Sequence, residues 1–275
     1  MNDRSIPEST TDSLRRHLRL WRACFKLALV RESQFRANAV TTVVIGIAQI
    51  LVGLIPILLL FGYTDEVDGW SRADAIVILG MYQVTAALIA MFVSRNMYEI
   101  SEAITKGTLD VVLVRPVNAQ FYLTTRWIRP DRLFALVAGL VIVVIGLIQT
   151  GQSPSPVAVV QGLVLAMAGL VLITCCWSWL AYCAFWSHSV DAMMMFFQDL
   201  LEVGRYPIGF FPWSVRVLFT ALVPVAFLTT FPASALTRGV SWWLVGVALG
   251  FAGIAVFVTR WFWGTAVQRY AGASS

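Results

Sequence analysis

The first candidates for chemistry in this 275-residue chain lie on one stripe near position 200. Asp191, Gln198 and Glu202 stand at i, i+7 and i+11, which puts them on one narrow face of a helix, with Asp199 beside them. Met193, Met194, Met195, Phe196 and Phe197 make the rest of the segment apolar. An ionisable group at membrane depth costs about 2.5–3.5 kcal/mol on insertion scales, so such groups face a cavity or a partner. The stripe has two readings. It is a polar wall facing a transport route, or a structural set in which Glu202 pairs with Arg205 at one membrane interface and Asp191 sits at the other.

Other reactive groups are sparse. His17 and His188 are the two histidines, and neither has metal-ligand spacing. His188 and Asp191 are three apart, yet no nucleophile stands near them, and His188 reads as a turn residue. Cys24, Cys175, Cys176 and Cys183 form no CxxC pair, and three of them lie in one apolar segment, the pattern of small buried side chains. No G-x-x-x-x-G-K-[ST] loop is present, so any nucleotide must be held by a separate subunit. A GxSxG elbow is also lacking. The sequence predicts no catalytic residue, no metal and no cofactor bound by this chain.

These groups are embedded in a chain that is 59% hydrophobic and 13% charged. Soluble domains carry about 25% charged residues, so a water-soluble enzyme of ordinary composition is excluded. The net charge is +5, but the basic residues gather at the ends of apolar segments, which argues against a nucleic-acid partner. No signal-peptide pattern precedes the first apolar run near Ala39.

Run lengths predict an all-α polytopic membrane protein with six transmembrane helices, at residues 39–61 (kinked at Pro56), 75–93, 133–148, 157–185, 190–205 and 242–262. Ahead of them, Leu14, Leu18, Trp21, Phe25 and Leu29 recur at spacings of three and four, with Arg15, Arg16, Arg19, Arg22 and Lys26 on other faces. That is a basic amphipathic helix lying in the membrane interface. After the fifth span, Tyr206-Pro207 and Pro212 break the helix, and residues 213–231 hold Arg216 and Pro224 before Pro232. This stretch is a full span or a pair of short re-entrant helices. With six spans both termini are cytoplasmic, sixteen of the twenty Lys and Arg lie inside, and Arg72, Arg205, Arg216 and Arg238 lie outside. A seventh span would move Arg260 and Arg269 outside, so the charge bias selects six spans and a re-entrant element. Gly246 and Gly250 form a GxxxG close-packing face in the last span. The expected division is a cytoplasmic tail and interfacial helix over 1–38, the six-span domain over 39–264, and a cytoplasmic tail over 265–275.

The longest polar interval, residues 95–132, carries Arg95, Lys106, Arg115, Arg126, Arg129 and Arg132. Ile100 and Ile104 oppose Glu99, Glu102 and Lys106, predicting a short amphipathic helix over 98–106 stopped by Gly107. Pattern alone leaves a headgroup-lying connector and a docking element both open. The words of the loop go further. Gly107-Thr108-Leu109-Asp110, then Leu113 and Arg115-Pro116-Val117, resembles the G-T-L-[DE]-x-x-L-x-x-P signature of ABC type-2 permeases, the membrane subunits of ATP-driven exporters. Tyr206-Pro207, Pro212, Pro224 and Phe231-Pro232-Ala233 look like the re-entrant region between that family's last two spans. The ending Arg269-Tyr270-Ala271-Gly272-Ala273-Ser274-Ser275 is similar to the RYxSAS-like tail of one bacterial branch. The resemblance runs from about Trp21 to the end.

It implies an exporter permease in a bacterial plasma membrane, with a second permease, identical or paralogous, and two ABC ATPase subunits that bind ATP and Mg. Lipid is the other partner, and nucleic acid is not. The ATPase-coupling loop would comprise Glu99, Glu102, Lys106, Gly107, Leu109, Asp110, Arg115 and Pro116. Many relatives have a carboxylate two residues before the glycine; here Thr105 stands there, so acidic docking falls on Glu99, Glu102 or Asp110. The route, lined in relatives by the first, second and fifth spans, would meet Gln49, Gln83, Gln198, Asp199 and Glu202. Tyr206, Pro207, Pro212, Pro224 and Pro232 would form the outer gate. Two other classes compete: an intramembrane enzyme using the fifth-span carboxylates, and a channel or secondary transporter. The first lacks a nucleophile and metal ligands, and the second lacks a visible internal repeat.

Overall fold

Apolar runs bounded by cap residues set the architecture of the computed structural model, which describes residues 21–28, 30, 36–115, 117–151, 153–187 and 190–273. The long helix α1 (Arg36–Leu60) leads to a two-residue hairpin, β1 (Glu66–Val67) with β2 (Trp70–Ser71). Then come α2 (Arg72–Phe92), α3 (Ser94–Thr105), α4 (Asp110–Leu113), α5 (Ala119–Thr125), α6 (Leu133–Thr150) and α7 (Pro156–Tyr182). After them stand α8 (Val190–Leu201), α9 (Trp213–Val217), α10 (Val225–Leu228), α11 (Thr230–Thr237) and α12 (Trp242–Ala273). Ser71 and Asp74 close a capping box on α2, and Ser155 caps α7 with Pro156 at its first position. Gly151 (φ 70°) ends α6.

Five helices among the described residues are long and apolar enough to cross a membrane. The most apolar stretch of residues 72–105 is 67% buried, against 17% in α1 and in the stretch holding α6, so α2 is the central post and the other two turn apolar surface outward. Glycines bring α6 onto α2. A Cβ at Gly80 would lie 2.6 Å from Val143 N, and one at Gly139 2.7 Å from Val84 N. At Gly146 it would sit 2.7 Å from Val77 Cγ2.

The expected GxxxG face behaves differently. Nothing lies within 4 Å of a Cβ at Gly246 or Gly250, and α12 packs on its neighbours through Val245, Ala248, Ala252 and Ala255 instead. That helix also runs to Ala273, through most of the stretch read as a tail.

The expected fifth span is short. α8 has 12 residues and a tight turn carries the chain to Arg205. At about 1.5 and 2.0 Å per residue this reaches about 26 Å, less than the roughly 30 Å hydrocarbon core. Pro207 ends it by holding Tyr206 extended (φ −117°, ψ 149°). From there to Thr237 the chain is a series of short helical pieces with Pro207, Pro224 and Pro232 buried, Tyr206 half-buried and Pro212 exposed.

At the end of the bundle opposite the hairpin, Met97, Ile100, Ile104, Leu109, Val112 and Leu123 pack with Trp177, Tyr182, Met194 and Phe197 in one core. Residues 21–28 are helical and dock there through Ala28, with Cys24 and Phe25, against Met91 and Ile128. Leu14, Leu18, Leu29, Pro116, His17, His188 and Ser274-Ser275 lie outside the described residues.

Candidate functional site

A polar cavity of about 280 Å³ opens between α1, α2 and the end of α8. Gln49 reaches it from α1, Tyr82, Gln83 and Thr85 from α2, and Gln198, Glu202 and Arg205 from α8 and the turn after it. Arg129 and Arg132, just before α6, close one end. Four of the five candidate lining residues therefore meet: Gln49, Gln83, Gln198 and Glu202. Asp199 is exposed and stands outside the cavity.

Arg205 pairs with Glu202 at 3.1 Å, as one of the two readings of the stripe has it, and the pair lies beside the middle of α2. Its guanidinium lies 5.2 Å from the centre of the Tyr82 ring, the eleventh of 21 residues of α2. Its Cδ would be 3.8 Å from a Cβ at Gly53, well inside α1. Beside the middle of α2 and inside the last third of α1, the side chain is only 12% exposed. Its buried Nε has no hydrogen-bond acceptor among the described residues. A cation in that setting is held by its carboxylate partner and by the ring face.

At the other end Arg129 gives Nη2 to Asp131 Oδ2 at 2.7 Å, and Arg132 Nε lies 3.3 Å from the same oxygen. Arg129 N also donates to Met91 O at 3.0 Å, fixing this pair of arginines beside the last turn of α2. Met91 is nine residues from Tyr82, so the two cationic ends are separated by about 13 Å along α2.

The loop signature forms a second surface. α3 stops as its sequence predicts: Gly107 takes φ 69°, Thr108 N returns to Ala103 O at 3.0 Å and Gly107 N to Ile104 O at 3.2 Å. The helix begins earlier than residue 98, at Ser94, because α2 passes into it across a single break at Val93. Glu102 and Lys106 are exposed and joined at 2.5 Å, and that carboxylate pushes the Lys106 amine above its usual range. Gly107 and Asp110 are exposed as well.

Leu109 and Glu99 face inward. Leu109 is fully buried and anchors the turn. Glu99 is 13% exposed and holds Arg126 at 2.7 Å, with Arg95 on its other oxygen. Arg115 donates to Tyr122 Oη at 3.1 Å and lies over that ring.

Three residues unremarked in the sequence tie this surface to the cavity. Asn96, fully buried, donates to Phe92 O at 2.7 Å and Trp127 O at 2.8 Å, and accepts from Trp127 N at 2.9 Å. Tyr98 Oη donates to Gln198 Oε1 at 3.4 Å, and Ser101 Oγ to Asp191 Oδ1 at 3.2 Å. The only forewarning was the apolar face of α3, which required a partner; nothing in the spacing named α8.

At the hairpin end lies a separate polar hollow of about 660 Å³, bordered by Asp65, Ser71, Arg72, Asp74 and Arg238. Arg238 sits 4.0 Å over the Trp70 ring and bonds Asp74 at 2.8 Å and Gly69 O. Arg216 pairs with Asp68 at 2.9 Å. These two arginines clamp the hairpin to the broken segment.

A family model described as ABC-2 family transporter protein matches residues 47–274. No curated protein and no solved structure matches the chain.

Proposed function

The chain belongs to the ABC-2 family of transporter proteins, and on that premise we propose that it is the six-span permease of a bacterial exporter driven by a separate ATPase. It is a multi-pass membrane protein and the permease subunit of an ABC transporter. The sixth crossing is α8 with its terminal turn, completed by the half-buried segment around Tyr206 and Pro207. The α3 end faces the cytoplasm, in keeping with the concentration of Lys and Arg there. Both termini lie on that side, the hairpin lies outside, and the short pieces from Pro207 to Pro232 form a re-entrant outer gate.

One observation carries the reading. Residues far apart in the sequence, Gln49, Gln83, Gln198 and Glu202, converge on one cavity walled by α1, α2 and α8. In a chain this apolar, a shared polar wall is what a translocation route requires. Two permeases, identical or paralogous, would complete it, with two ATPases carrying ATP and Mg on the cytoplasmic side. Docking falls to the exposed pair Glu102 and Lys106 and to Asp110, since Glu99 is engaged internally.

The test is affinity purification of the tagged protein in mild detergent, as wild type and as the Glu102→Arg and Lys106→Glu variants. A P-loop ATPase retained by wild type and lost from both variants is the expected result. Retention by the variants would move the docking site elsewhere. No ATPase on wild type would overturn the proposal.

A further inference from the structure

The charges of the cavity select among ligands. Its lining carries three guanidinium groups, Arg129, Arg132 and Arg205, against one carboxylate, Glu202. Asp131 answers the first two from behind, and the sum stays positive. Arg129 remains 39% exposed, with two of its five N–H groups given to Asp131. Arg205 holds a buried Nε without an acceptor among the described residues. Leaving such a donor unmet is unfavourable, and a planar guanidinium fits phosphate and carboxylate oxygens two at a time. Beside these charges and the glutamines, part of the wall is apolar: Ala86, Ala87, Ala90, Leu201, Val225 and Leu228.

We infer that this cavity binds an amphiphile with an anionic phosphate or carboxylate head, received between Arg129 and Arg132 and passed toward Arg205. The inference rests on the route reading and specifies what travels it. The two cationic ends, about 13 Å apart along α2, give the head a second station near the middle of the bundle. The alanines and leucines accept the apolar body beside it. Glu202 keeps Arg205 in place while the site is empty, and an arriving anion competes for the same guanidinium.

The experiment is competition binding to delipidated protein in detergent, read by native mass spectrometry. Phosphatidylglycerol and phosphatidylcholine of identical acyl chains are offered in equal amounts. Wild type is expected to retain the anionic lipid in about tenfold preference, the scale of one charge-assisted hydrogen bond. Arg129→Gln and Arg205→Gln are expected to lose most of that preference, and Arg260→Gln, on the far helix α12, to keep it. If Arg205→Gln does not fold, Arg129→Gln decides alone, because that guanidinium is already partly in solvent. Dodecyl phosphate should displace the lipid where inorganic phosphate at the same concentration does not.

Equal retention of the two lipids by wild type, or a preference untouched by Arg129→Gln, would overturn the inference. Displacement by inorganic phosphate alone would replace the amphiphile with a free anion. The permease reading is judged separately by ATPase co-purification. A chain that holds the ATPase but treats both lipids alike keeps that reading and loses this one.

Discussion

Asn96→Ala is predicted to loosen the joint between α3 and the segment before α6 more than any surface change in the loop. The amide is fully buried and takes part in three hydrogen bonds, two to carbonyls and one from Trp127 N. Each such bond contributes about 1 kcal/mol net, and the stranded Trp127 N–H adds about 1 kcal/mol more, for roughly 4 kcal/mol. At about 2–4 °C per kcal/mol for a chain of this size, the midpoint should fall by about 8–16 °C. Asn96→Asp should fare no better, because it sets a carboxylate against the carbonyl oxygens of Phe92 and Trp127. The comparison is Asn118→Ala, which removes the exposed cap of α5 at a cost of about 1 kcal/mol. The assay is thermal unfolding of detergent-purified protein, read as surviving monodisperse protein after heating. A midpoint for Asn96→Ala no lower than that of Asn118→Ala would refute the assignment of Asn96 as the pin of this joint.

Two further outcomes follow from the packing. Gly139→Leu should abolish monodisperse protein, since its Cβ meets Val84 N and Gln83 C at 2.7 and 3.1 Å, while Gly246→Leu, facing open space, should leave the yield unchanged. Size-exclusion profiles of the two variants check this pair. Arg238→Ala should speed hydrogen exchange across residues 64–71 by about tenfold, through loss of the Trp70 stack and the charge-assisted bond to Asp74, and should leave residues 94–113 as they were.

The helices were legible where a membrane dictates them. A hydrocarbon core demands about 20 apolar residues, so α1, α2, α6, α7 and the start of α12 appear within a few positions of their apolar runs. Gly107 was legible because a left-handed residue after an amphipathic turn is chemically specific. Which surfaces meet was another matter. Gly246 and Gly250 have the better-known spacing, yet Gly80, Gly139 and Gly146 make the close approach, because proximity of two helices depends on both partners. Arg205 was read as an interface anchor from its place at the end of an apolar run. The run ends where its apolar pattern ends, at Arg205, and the turn there carries the guanidinium against the middle of α2, which no spacing in the sequence indicated. Glu99 and Glu102 are indistinguishable in pattern, three residues apart on one helix. Only the arrival of Arg126 from α5 makes one internal and leaves the other exposed.

Two of the cavity's walls, α2 and α8, are not equally fastened. α2 is fastened to α6 by three glycine contacts along its length, where backbone meets backbone and little repacking is available. α8 is short, is followed by a tight turn, and leads into a chain interrupted by Pro207, Pro212 and Pro224. It is also the wall that α3 grips, through Tyr98 on Gln198, Ser101 on Asp191, and the shared core of Met97, Ile100, Met194 and Phe197. On the proposed function, a push on the exposed face of α3 would reach α8 through these contacts, and the cavity would widen by α8 moving against α2. The contact that must then part is Arg205 on Tyr82, the clasp between the moving wall and the fixed one. An anion that takes up Arg205 weakens that clasp from inside, which ties ligand arrival to the same movement that the ATPase would drive.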